Sequence, residues 1–226
     1  MEPVEPIFSI PIGNLTFDIT SGLVVQWVVM ILLILLAVFS TRNLKKVPDK
    51  KQTIVEAFYD AVTNVVRNTM GEEYMSYVPF IGTLAVYLLI LNLTGLVGVQ
   101  PPTQSYNVAL GLAIISFVLV QANAIKKVGI GGYFGGFAHP SILMLPLNVI
   151  ERVMFLVSLS LRLFGNIFAA TILIDLIYQG LGNLTWFAEL GIPVPFHAYF
   201  DIFDGTIQMV IFLMLTMINI KTVAEH

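Results

Sequence analysis

Cysteine is absent from this chain, which removes disulfides and thiolate metal sites from consideration and leaves the redox compartment open. Charge is nearly as scarce. Asp, Glu, Lys and Arg make up 11% of the 226 residues, against about a quarter in a soluble domain. None occurs between Tyr74 and Ile125, and no basic residue precedes Arg42. A solvated globular domain is thereby excluded, and no nucleic-acid partner is expected. A basic n-region, a small-residue cleavage site and an Arg-rich presequence are missing too, so the chain is expected to be mature from Met1.

Apolar sequence fills the space instead: 57% of residues are hydrophobic, which places the chain in a membrane. The expected fold class is an all-α membrane protein, a single membrane domain over residues 1–226. Residues 1–21 form a polar outer tail. Span one covers 22–40, and the cluster Arg42, Lys45, Lys46, Lys50 and Lys51 that follows it belongs on the cytoplasmic side. Over 52–70, Ile54, Phe58, Ala61, Val62, Val65 and Val66 share one helical face, and Glu56, Asp60, Asn64 and Arg67 share the other. This segment is expected as an amphipathic helix ended by Gly71, lying in the inner interface or against a soluble partner. Pro101 and Pro102 divide the charge-free stretch into two spans, 76–99 outward and 108–125 back to Lys126 and Lys127. Asn92, Gln121 and Asn123 within them are read as interhelical hydrogen bonds.

Gly129 to Pro140 has neither the GKT or GKS ending of a phosphate loop nor GxGxxG spacing, so a flexible connection is expected, with His139 structural. Two long helices follow, 141–178 and 197–223, joined on the outer side. The first of them is far longer than about 30 Å of hydrocarbon requires, so the pair is expected as a strongly tilted antiparallel hairpin. The count is five crossings and one interfacial helix, with the amino terminus outside and the carboxyl terminus cytoplasmic. Length and the missing presequence point to a bacterial plasma membrane.

Within SLSLRLFGNIFAATILIDLIY, residues 158–178, Arg162 stands alone in the middle of apolar sequence. A guanidinium keeps its proton in a protein, and at the centre of a bilayer helix it costs about 2.5–3.5 kcal/mol. A carboxylate on another chain is expected to offset it. Ser158, Arg162 and Asn166 are four apart and share a face, while Asp201, Asp204 and Gln208 mark a polar face on the last helix. Antiparallel pairing brings Asp175 toward Asp201 and Asp204 near the outer surface, as a hydrated, ion-exchanging inlet. The other reading has Asp201 and Asp204 merely starting a helix and Asp175 among headgroups. Glu151, on the inner side, is either half of an ion pair with Arg152 or part of an outlet.

SLSLRLFGNIFAA resembles the signature of subunit a of F-type ATP synthases, and the likeness extends to MLPLNVIE at 144–151, FDGTIQMVIFLMLTM at 203–217 and TGL at 94–96. The resemblance implies a stator subunit with no catalytic site, cofactor or metal of its own. Such a subunit passes protons or sodium ions through two offset half-channels to the carboxylates of a c-subunit rotor ring, beside b-type peripheral stalk subunits and membrane lipid. It implies Arg162 as the essential arginine, Asn166 in the outer half-channel and Gln208 as the arginine's polar neighbour. Many bacterial members carry glutamate nine residues after the arginine, where Thr171 stands, and histidine seven residues before the glutamine, where Asp201 stands. The titratable function of the outer channel is then expected at Asp175, Asp201 and Asp204.

Overall fold

The computed structural model describes residues 8–12, 15–42, 44–137, 141–181 and 191–225. Among them, five helical stretches are long and apolar enough to cross a membrane: Ser21–Thr41, Glu72–Val97, Tyr106–Gly136, Ile142–Leu181 and Pro193–Ala224. The chain is an all-α membrane protein with one small addition. Strands β1 (Phe8–Ile12) and β2 (Leu15–Ile19) pair antiparallel, Phe8 opposite Ile19 and Ile12 opposite Leu15, in the stretch expected as a plain tail.

Helix α1 (Ser21–Thr41) has no proline and no charge to interrupt it, and only Val29 is buried. Helix α2 (Lys50–Met70) is the amphipathic segment. It stops at Gly71, whose φ of 102° a side chain would resist and whose N–H donates back to the Arg67 carbonyl. A 3₁₀ turn, Glu72–Tyr77, leads into α3 (Val78–Leu93). Helix α4 (Tyr106–Gly136) departs from expectation. The flexible connection foreseen from Gly129 is helical as far as Gly136, with a break at Gly129, φ 77° and ψ 161°. The kink lets Tyr133 reach back to Gln121, its hydroxyl donating at 2.6 Å, which ties the glycine-rich turn down. His139 lies outside the described residues.

Helix α5 (Leu145–Leu181) has 37 residues. At 1.5 Å each it is about 55 Å long, so it crosses about 30 Å of hydrocarbon only by tilting or bending. The middle of the connection after it, 182–190, lies outside the described residues. The last span is composite: α6 (Pro193–His197), a π-helical turn Ala198–Asp204, then α7 (Gly205–Glu225).

Helix α4 packs on α5 and α7, α3 packs on α7, and α2 lies against α3 and α7. Ala109, Ala113 and Ser116 are buried on α4, small residues that let backbones close in where lipid gives no hydrophobic push between helices. The same buried core takes in Leu159 and Leu163 of α5 and Phe212, Met217 and Ile220 of α7. Helix α5 buries Leu159, Leu163, Ile167, Ala170 and Ile174, spaced by three and four along one stripe. Its other side leaves Leu161, Ile172, Leu173 and Leu176 exposed to whatever surrounds the bundle.

Candidate functional site

Arg162 is half exposed at the flank of the buried stripe of α5, where its Nη2 donates to Ser158 Oγ at 3.4 Å. The four-residue spacing makes that contact. Ion pairs among the described residues are Lys45–Asp49, Arg67–Glu72, Lys127–Glu73 and His197–Asp201. Arg162 belongs to none of them. One turn further, Asn166 Nδ2 donates to Gln208 Oε1 of α7 at 2.6 Å. Gln208 is 1% exposed, and its Nε2 has no partner among the described residues, an arrangement that ordinarily costs about 1–3 kcal/mol. The structure thus joins Gln208 to Asn166 and places that pair one turn from Arg162.

The acids are arranged less symmetrically than pairing by level suggests. Asp201 is buried in the π-helical turn, its Oδ2 2.7 Å from His197 Nδ1. The turn at Thr94–Val97 lies against it: a Cβ on Gly95 would be 2.9 Å from the Asp201 carboxylate, so only glycine lets the two approach. The same closeness recurs one turn on. Asn92 Nδ2 donates to the Gly205 carbonyl at 2.9 Å and Asn92 Oδ1 accepts from Thr103 Oγ1 at 3.3 Å. Asp204 is half-buried, and Asp175 is exposed; neither makes a hydrogen bond or ion pair among the described residues. Asp175 follows Arg162 by thirteen positions, which at about 100° each leaves it about 140° away around α5. Tyr178, not Asp175, reaches the Asp201 group, its hydroxyl 3.3 Å from His197 Nε2. Thr171 Oγ1 donates to the Ile167 carbonyl of its own helix at 2.9 Å.

At the lysine-bearing end, α4, α5 and α7 enclose a cavity of about 600 Å³, lined in part by Gln121, Tyr133, Glu151, Arg152, Asn219 and Thr222. Glu151 is exposed there. Among the described residues it makes no ion pair with Arg152. Arg152 turns away to Gln121 Oε1, 3.4 Å from its Nη1, and lies over the Tyr133 and Phe137 rings at 5.9 and 5.5 Å. Asn92, Gln121 and Asn123 do bridge helices as expected, Asn123 donating to the Ile220 carbonyl at 3.0 Å and accepting from Tyr77 at 2.7 Å. No group of three or more His, Cys, Asp and Glu gathers among the described residues.

Sequence reasoning passed over His197 and Tyr178. The four-residue spacing of His197 and Asp201 was a usable signal, whereas Tyr178 comes from another helix and leaves no mark in spacing. Taken together, a helical bundle with polar groups at its crossings, and with Arg162 in no ion pair among the described residues, defines a polytopic membrane protein.

The sequence profile of the ATP synthase A chain family matches residues 23–221. The chain is 33% identical over 217 residues to ATP synthase subunit a of Moorella thermoacetica, covering 96% of this chain and 95% of that one. With the Campylobacter curvus subunit a the identity is 35% over 208 residues, 88% of this chain and 89% of the relative. With the subunit a of Propionigenium modestum described as sodium ion specific it is 32% over 225 residues, 92% of this chain and 75% of the relative. The chain belongs to the ATP synthase A chain family, and so to ATP synthesis and ion transport in the membrane.

Proposed function

We propose that the chain is the ion-translocating stator of an F-type ATP synthase, exchanging protons or sodium ions with the carboxylates of a c-subunit ring through two offset half-channels. One observation carries the reading: Arg162 cannot shed its charge, and no acid of its own chain pairs with it among the described residues. A passing rotor carboxylate supplies the missing anion. Within about 4–6 Å of the guanidinium that acid is favoured in its ionised form, so it releases its ion there. Reloading from the other half-channel neutralises it and lets the ring move on. Because the attraction is stronger in low dielectric than in water, release depends on that reloading.

The outer half-channel runs past Asp175, Asp201 and Asp204 toward Asn166, Gln208 and the Thr171 side of α5. The inner one opens through the cavity bearing Glu151. Arg162 and Ser158 stand between the two, and the fixed positive charge turns back any cation that has not boarded the ring. Each charge crossing 100 mV supplies about 2.3 kcal/mol. The chain itself performs no bond-making step. The basic clusters orient it with the amino terminus outside and the carboxyl terminus in the cytoplasm of a bacterial cell, held by b-type stalk subunits. The test is ATP-driven pumping by membrane vesicles carrying Arg162→Lys. Lysine lacks the planar fork and deprotonates readily when desolvated, so pumping should be lost; full pumping with lysine would remove the barrier role.

A further inference from the structure

We propose that His197 and Tyr178 form, with Asp201, a proton relay at the outer mouth of the ion path, one that passes protons and rejects sodium ions. It rests on the stator reading above and adds two residues and an ion preference to it. The three groups stand in file from surface to interior. Tyr178 is 41% exposed, the His197 side chain 28% and the Asp201 side chain 10%. His197 bridges them, Nε2 at 3.3 Å from the Tyr178 hydroxyl and Nδ1 at 2.7 Å from Asp201 Oδ2. The π-helical turn that carries Asp201 belongs to a geometry that recurs at functional sites, and Gly95 leaves just enough room for the carboxylate. Among the described residues, Tyr178 from α5 and Asp201 are the polar groups bonded to the imidazole. Asp204, further along the π-helical turn, and Asp175, one turn before Tyr178, make no hydrogen bond or ion pair among the described residues.

An ionised carboxylate only accepts, so Asp201 holds the proton of neutral His197 on Nδ1 and leaves the Nε2 lone pair facing the tyrosine hydroxyl. A proton from outer water bonds to the Tyr178 oxygen as that oxygen gives its own proton to Nε2. The Nδ1 proton then passes to Asp201 Oδ2. Three bonds to hydrogen form and three break, no charge remains on the ring, and Asp201 is a neutral acid ready to hand its proton inward. Once Asp201 has handed its proton inward, the starting tautomer returns as Nδ1 takes a proton from water and Nε2 gives its own back through the Tyr178 hydroxyl, one bond to hydrogen forming and one breaking at the ring. A sodium ion has no such route: it needs several oxygen ligands at once, and this file offers a hydroxyl and a carboxylate already engaged by a ring nitrogen.

The experiment uses the complete complex in inverted vesicles, with ATP-driven pumping read by a pH-sensitive dye and by radioactive sodium uptake. His197→Ala should slow proton pumping on the order of a hundredfold, and free imidazole should restore part of the rate. Tyr178→Phe should slow it less and displace its pH profile. Where His197→Ala complexes do not assemble, His197→Gln decides, because an amide holds Asp201 without passing on a proton. Wild-type pumping by the glutamine variant, a loss that imidazole does not touch, or sodium uptake by the unaltered complex overturns the relay. Unimpaired pumping in His197→Ala beside a dead Arg162→Lys sinks the relay alone; an active Arg162→Lys sinks the stator reading.

Discussion

Replacing Gly95 by alanine tests the crossing that buries Asp201. The new Cβ would sit 2.9 Å from the Asp201 Cγ and Oδ1 and 3.0 Å from Oδ2, where carbon contacts relax only at about 3.5–4.0 Å. The carboxylate must therefore move by about 0.5–1 Å, enough to spoil its 2.7 Å bond to His197. Overpacking costs about 1–3 kcal/mol and a lost charge-assisted hydrogen bond about 1.5–3, the two overlapping, so a destabilisation of about 2–3 kcal/mol is expected. Gly111 on α4 is the control: nothing lies within 4 Å of its added Cβ, so alanine there should be neutral or stabilise by up to about 1 kcal/mol. The assay is the unfolding midpoint in mixed micelles titrated with a denaturing detergent. In an Asp201→Ala background the Gly95 substitution should become nearly harmless, giving a coupling energy of about 2 kcal/mol. If Gly95→Ala matches Gly111→Ala, or its effect survives removal of the Asp201 carboxylate, the close approach does not limit this site.

Two packing predictions use the same assay. Asn92→Ala removes the bonds to the Gly205 carbonyl and Thr103 hydroxyl and should lower stability by about 1–2 kcal/mol, in line with interhelical hydrogen bonds in membranes; no change would mean that these groups are satisfied otherwise. Leu163→Ala, at a residue with no exposed surface, should cost about 2–5 kcal/mol. Leu161→Ala two positions earlier, half exposed, should stay within about 0.5 kcal/mol; equal effects would misplace the buried stripe of α5.

Membrane character and five helical crossings were legible in composition and run length, because in hydrocarbon a helix is one of very few ways for a backbone to satisfy itself. Arg162 was legible for a related reason: a lone charge in such a run has no cheap local remedy. Gly71 as a stop and the bridging duties of Asn92, Gln121 and Asn123 followed from the same local chemistry. Other features left no such trace. Glycine density between Gly129 and Gly136 reads as a loop, yet the chain breaks only at Gly129 and is helical beyond it, with Tyr133 bonded to Gln121. Spacing left open whether Arg152 pairs with Glu151, and packing answered by giving it Gln121 and two aromatic rings.

Periodicity and composition belong to the chain one segment at a time, so they specify that a helix forms and which of its faces is polar. Which polar face meets which depends on how each helix is rotated and how near its neighbours come. Those quantities rest on long-range contacts: Gly95 against Asp201, Gly205 against Asn92, and a π-helical turn that resets the register of the last span. Tyr178, His197 and Asp201 meet through that tertiary geometry, while Arg162 announces itself from a single helix.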